Sequence, residues 1–180
     1  YAKLYAFIQR VEAGDRPPDG VMAGVYRLFQ QYPEVLAWNY QWFQSDNEIH
    51  HEIYDAAKAI RPGLEVGRHV DHQRSSWDIW YRAAVSYADM TASADFIKPI
   101  LYHDIFGPRL RHWVIERMQQ RAYNDLSPEL TLALFYAQFG HDAAAMPSLE
   151  ELDERGLGAA YVRRETARCV RGVDGKAKVY

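Results

Sequence analysis

VLAWNYQWFQSDNEIHH, residues 35–51, is the stretch on which the reading of the fold turns. Residues 35–43 form an aromatic and apolar run, too short to span a membrane and rich in residue types that favour extended backbone, with Pro33 bounding it on the amino side. This predicts a buried strand from Val35 to Phe43. Ser45 and Glu48 then have the spacing of a capping box, in which the hydroxyl and the carboxylate each satisfy a free backbone N–H at a helix start. Ile49, Ile53, Ala57 and Ile60 follow as an apolar stripe at helical spacing, and Arg61-Pro62-Gly63 stops it. A strand that ends in polar residues and turns into a capped helix is the unit the remaining chain is expected to repeat.

Towards the amino end, Leu4, Tyr5, Phe7, Ile8 and Val11 predict a helix over 1–11, the turn formers from Gly14 to Gly20 break it, and Val21 to Gln31 reads as a second helix. Towards the carboxyl end, Leu64, Val66, Arg68 and Val70 alternate with Glu65, Gly67, His69 and Asp71, a strand period. Ser75 or Ser76 is expected to cap the next helix, with Trp77, Trp80, Tyr81, Ala84, Val85 and Ala88 as its buried face. FIKPILY, Phe96 to Tyr102, is a third strand, in which Pro99 removes a ladder donor and so demands an edge, a bulge or an irregularity. Pro108 and Ser127-Pro128 start two further helices, the second closed by Gly140. An acidic connection over 142–158, a helix from Ala159 to Arg171 and a strand from Ala177 to Tyr180 complete the chain.

Strand and helix alternate with crossovers of helical length, which predicts an α/β fold built from parallel β/α units. An open doubly wound sheet and an eight-stranded barrel both satisfy that pattern, the barrel typically taking about 250 residues. Both chain ends fall inside elements. The expectation is therefore a single domain over residues 1–180 that forms a segment of a (β/α)8 TIM-type barrel, truncated at both ends.

With 180 residues, 48% hydrophobic and 25% charged, the chain suits one globular domain, and no run approaches a membrane helix, so no membrane partner is expected. A formal net charge of -3 gives no electrostatic reason for a nucleic-acid partner and favours a neutral ligand. Cys169 is the one cysteine, which excludes an internal disulfide, and its place within a helix favours a small buried residue over a nucleophile. The compartment is left open. The high aromatic content also fits a homo-oligomer interface.

In either architecture ligands bind where the carboxyl ends of the strands meet loops and helix starts. The polar positions there are Asn39 and Gln41, then His69 and Asp71, then Lys98, Tyr102, His103 and Asp104. Cleavage of a glycosidic bond needs two carboxylates, one as acid and one as nucleophile or base. Asp71 and Asp104 are the candidates, with Asp46 in reserve. A saccharide would be held by Asn39, Gln41, Trp42, His69, Lys98, Tyr102 and His103, the aromatic rings stacking on its C–H faces. The structural alternatives are a helix cap for Asp46 and ion pairs of Asp71 and Asp104 with Arg68, Arg74 or Arg109. Histidines at His50, His51, His69, His72 and His103 offer a second class, a metal-dependent barrel hydrolase or isomerase, but their spacing is no specific metal signature and no metal ligand is assigned. Phosphate-binding glycine loops and a G-x-S-x-G elbow are absent, so no cofactor is expected. A carbohydrate-binding module without catalysis is the third reading.

YPEVLAWNYQWFQSDNEIHHEIYDAAKAIRPGLEVGRHVDH (32–72), ADFIKPILYHDIFGPRL (94–110) and YVRRETARCVRGVDGKAKVY (161–180) together resemble bacterial proteins assigned as glycosyl hydrolases of TIM-barrel type. The similarity runs from about Tyr5 to Tyr180. It implies a barrel and a glycosidase acting on a poly- or oligosaccharide, with further acidic residues beyond Tyr180. The family has no shared catalytic motif, so no residue role is carried over from it.

Overall fold

The computed structural model describes residues 1–71 and 76–180. In chain order these form α1 (Ala2–Glu12), α2 (Val21–Gln31), α3 (Glu34–Ile60), β1 (Gly67–Val70), α4 (Ile79–Ala84), α5 (Tyr87–Met90), β2 (Phe96–Pro99), α6 (Phe106–Arg111), α7 (Pro128–Gln138), α8 (Leu152–Arg155), α9 (Gly158–Val173) and β3 (Lys178–Val179). They group into two compact units, Tyr1–Trp38 with His103–Gly158, and Asn39–Tyr102 with Ala159–Tyr180.

The predicted strand over Val35–Phe43 is helical. From Glu34 to Ile60 there is neither glycine nor proline, so a helix started after Pro33 meets no breaker, and each added residue gains a hydrogen bond once the first turn exists. The 27 residues of α3 extend about 40 Å. Ser45 and Glu48 consequently lie inside the helix, where the Ser45 hydroxyl accepts from Gln41 at 3.4 Å instead of capping anything. The stop is where the sequence puts it: Arg61 makes the last helical bond, to Ala57, and the Lys58 ammonium donates to the Leu64 carbonyl at 2.7 Å beyond it.

The first unit is helical. Phe7 and Val11 of α1 pack on Val21 of α2, with Gly24 lying under the Phe7 ring, where a Cβ would come within 2.4 Å. Ser127 caps α7 by accepting the Leu130 N–H, and Pro128 follows at the first position, as the sequence indicates. α6 and α8 approach so closely that a Cβ on Gly107 would lie 1.7 Å from the Leu152 carbonyl oxygen. Short helical turns at Ala143–Ala145 and Leu152–Arg155 break up the acidic connection.

In the second unit β1, β2 and β3 form a parallel sheet in that order, with Arg68 opposite Ile97, His69 opposite Lys98 and Ile97 opposite Val179. Pro99 ends β2, and the ladder with β1 resumes at Ile100, whose N–H donates to the Val70 carbonyl at 3.0 Å. Arg68, Val70 and Ile97 face the core, which Phe43 of α3, Tyr81 of α4, Tyr87 and Met90 of α5, and Cys169 and Val173 of α9 complete. His69, Lys98 and Lys178 occupy the opposite face and are exposed, so among the described residues of this unit helices cover one side of the sheet. α4 is capped by Asp78, which accepts from Trp80 and Tyr81; Ser76 is buried, and Ser75 lies outside the described residues. That helix ends at the extended Val85 and a new one starts at a Ser86–Asp89 capping box; Trp80 and Ala88, expected on the buried face, are exposed.

The expected α/β class, a segment of a (β/α)8 TIM-type barrel, is therefore corrected. Among the described residues the fold is rich in α-helix with a small open sheet of three strands, of four, four and two residues. A stretch expected to supply a strand is spent in α3, and among the described residues β1 and β3 are the edge strands of the sheet.

Candidate interaction surface

The residues singled out in the sequence fall on several elements of both compact units. Asn39, Gln41 and Trp42 lie on α3, and Asp46 lies farther along it, accepting from Arg68 at 3.3 Å. His69 and Lys98 are register partners on the open sheet face, Asp71 follows β1 and is exposed, and Tyr102 is exposed beyond β2. His103 and Asp104 form an exposed turn of the other compact unit, where the His103 carbonyl accepts the Leu157 N–H at 2.7 Å. His72 and Arg74 lie outside the described residues.

The helix α3 carries a row of exposed apolar side chains. Its inward side carries Phe43, Asn47 and Tyr54, and three contacts fix its rotation. Arg68, 2% exposed, reaches from the sheet to Asn47 Oδ1 at 2.6 Å and to Asp46. Tyr54 donates to Asp95 at 3.1 Å, and Lys58 pairs with the same carboxylate at 2.6 Å. The Lys58 ammonium, together with the Val66 N–H, holds the Asp95 carboxyl below its usual range, and Asp95 in turn raises Lys58.

With that rotation fixed, Trp42, Ile49, Ile53 and Ile60 point outward with 56, 55, 57 and 87% of their surface exposed. Each residue advances about 100° around a helix, so their spacings of seven, four and seven keep all four within roughly 40° of arc. They form a straight apolar line along α3. By the same step Glu52 lies about 80° from the middle of the line and Glu48 and Asp55 about 120–140°, all on one flank, exposed and without an ion pair among the described residues. The sequence shows the stripe of Ile49, Ile53, Ala57 and Ile60; the outward direction of its isoleucines comes from the Arg68, Tyr54 and Lys58 contacts.

α9 carries an ion network that the sequence reading missed. Glu165 is fully buried and accepts from Arg82 at 2.8 and 3.1 Å, from Arg168 at 2.9 Å and from Ser76 at 3.2 Å. The Tyr161 hydroxyl donates to Ser76 at 3.1 Å, and Arg168 lies over the Tyr87 ring. The three-residue spacing of Glu165 and Arg168 is readable on a helix; Arg82 is not, since it comes from far along the chain. Next to this network, burial pushes the Cys169 thiol up to about 11, which favours its protonated form near neutrality.

No protein-family model matches the chain, and no characterised protein or solved structure is significantly similar to it. The resemblance to TIM-barrel glycosyl hydrolases is corrected by the fold, because the three-stranded sheet does not close into a barrel. The glycosidase reading falls with it, since no barrel rim gathers a pair of carboxylates. The metal-dependent alternative falls as well: among the described residues no group of three or more His, Cys, Asp or Glu side chains is placed to hold a metal ion. No helix among them is long and apolar enough to cross a membrane.

Proposed function

We propose that this chain is a protein-docking module whose working surface is the outer face of α3, and that the surface receives an amphipathic helix carrying basic residues. The observation behind the reading is the outward apolar line of Trp42, Ile49, Ile53 and Ile60, with the carboxylates of Glu52, Glu48 and Asp55 exposed along one flank of the helix. Completely burying one isoleucine side chain contributes roughly 1.5–3 kcal/mol before association costs, so three of them with Trp42 supply a usable contact. An aligned helix of a partner presents its own apolar residues at the matching spacing. Its lysines or arginines then meet the acidic flank, which sets register and excludes acidic partners.

The test is titration of a synthetic basic amphipathic helix, with leucines at positions one, five, eight and twelve and lysines beside them, into the protein and into its Ile49→Glu/Ile53→Glu variant. Binding by the parent and at least about tenfold weaker binding by the variant is expected. Equal binding by both, or equal binding of an acidic peptide with the same leucines, overturns the reading. Circular dichroism and a denaturation midpoint confirm that the variant is folded.

A further inference from the structure

We infer that the occupant of the α3 face is a second copy of this chain, presenting α9; the inference rests on the docking reading above. The outer side of α9 carries Ala160, Arg163, Arg164, Val170 and Arg171, all exposed, with Ala167 half-buried among them. By helix geometry these six positions share roughly 120° of arc. Arg163, Arg164 and Arg171 have no ion pair among the described residues, whereas Arg168, on the inner side, is engaged by Glu165. Among the described residues one unit of the chain thus bears two unlike surfaces: three carboxylates without an ion pair along one flank of the large apolar side chains on α3, and three guanidinium groups without an ion pair among small apolar side chains on α9. Large residues pack into a surface of small ones, and the charges pair.

Two α3 faces set antiparallel about a two-fold axis would bring the flanks carrying Glu48, Glu52 and Asp55 to the same side, so like charge disfavours that symmetric α3-to-α3 dimer. Contact between α3 of one copy and α9 of the next joins different surfaces. Each copy then keeps one free surface of each kind, and association proceeds head to tail into a ring or an open chain. Because the pairing groups are exposed, salt above physiological strength weakens the contact.

The experiment is sedimentation velocity on the whole chain over a wide concentration range, at low and at high salt. Two variants are compared with the parent: Ile49→Asp/Ile53→Asp, which disables α3, and Arg163→Glu/Arg164→Glu/Arg171→Glu, which disables α9. The parent is expected to grow beyond a dimer with concentration and to revert at high salt. Each variant alone stays monomeric, with self-association weakened by about tenfold or more. Mixed in equal amounts, the two variants form a one-to-one complex and nothing larger, because only one competent pair of surfaces remains. A parent that is monomeric throughout overturns the inference, as does an α9 variant that associates like the parent. The docking reading fails separately, if the α3 variant binds the basic helical peptide as well as the parent does. Unchanged circular dichroism establishes that either variant is folded.

Discussion

Asp95 and Val66 hold each other reciprocally: the Asp95 carboxylate accepts the Val66 N–H at 2.7 Å, and the Asp95 N–H donates to the Val66 carbonyl at 2.7 Å. The same residue receives the Tyr54 hydroxyl and the Lys58 ammonium from α3, and its carbonyl accepts the Lys178 N–H at 2.9 Å. One side chain and its peptide groups thereby join α3 to the amino ends of all three strands.

This junction makes stability depend on acid. The folded Asp95 carboxyl titrates below its unfolded value of about 3.9. Its contribution is therefore fully present above that pH and is lost as the pH falls through it towards the lower folded value. Asp95→Asn is expected to destabilise the protein by about 1–3 kcal/mol near neutrality, by weakening the bonds to Lys58 and Val66. It is also expected to flatten the decline below about pH 4. Urea midpoints measured across that range check both; a variant with the parental acid profile contradicts the assignment.

Glu165 neutralises two arginines inside the second unit. Its replacement in Glu165→Leu leaves Arg82 and Arg168 facing each other partly buried, and a loss of about 3–5 kcal/mol is expected. Ser76→Ala removes one donor to the same carboxylate and is expected to cost about 1 kcal/mol. Denaturant unfolding of the two variants ranks them; an equal effect would show that the network is not what orders α4 against α9.

Gly156 has φ +58°, and a Cβ there would meet the His103 carbonyl oxygen at 2.0 Å. Both backbone strain and a clash with main chain oppose any side chain, and Gly156→Ala is expected to lose more than about 1–3 kcal/mol. At Gly14 a Cβ meets nothing, although φ is +98°, so Gly14→Ala carries only the strain. Thermal midpoints should therefore fall further for the first; the reverse order would mean that the His103 turn yields.

Two isoleucines test the orientation of sheet and helix. Ile97 in β2 is fully buried, and Ile97→Ala is expected to cost about 2–5 kcal/mol. Ile60 at the end of α3 is 87% exposed, and Ile60→Ala is expected to change stability by no more than about 0.5 kcal/mol. A large loss at Ile60 would place that stripe inside the core.

What the sequence determined by itself is local. The helices after Gly20, Ser127 and Gly158, the stop at Arg61-Pro62-Gly63, the strands around Arg68, Ile97 and Lys178 and the burial of Cys169 all follow from residues within a few positions of each other. Capping groups, helix breakers and short-period patterns act at that range. The class of the run from Val35 to Phe43 was not legible there. Aromatic residues favour extended backbone locally, but an unbroken helix to Ile60 gains one hydrogen bond per residue and seats Phe43 and Tyr54 against the sheet. Nor was the direction of the isoleucine stripe legible, because a helix's period says that one side differs from the other without saying which is inside. Tertiary structure decided it, through Arg68 bonded to Asn47 and Asp95 bonded to Tyr54 and Lys58. These contacts join residues 21 to 41 positions apart and fix the rotation of α3 about its axis.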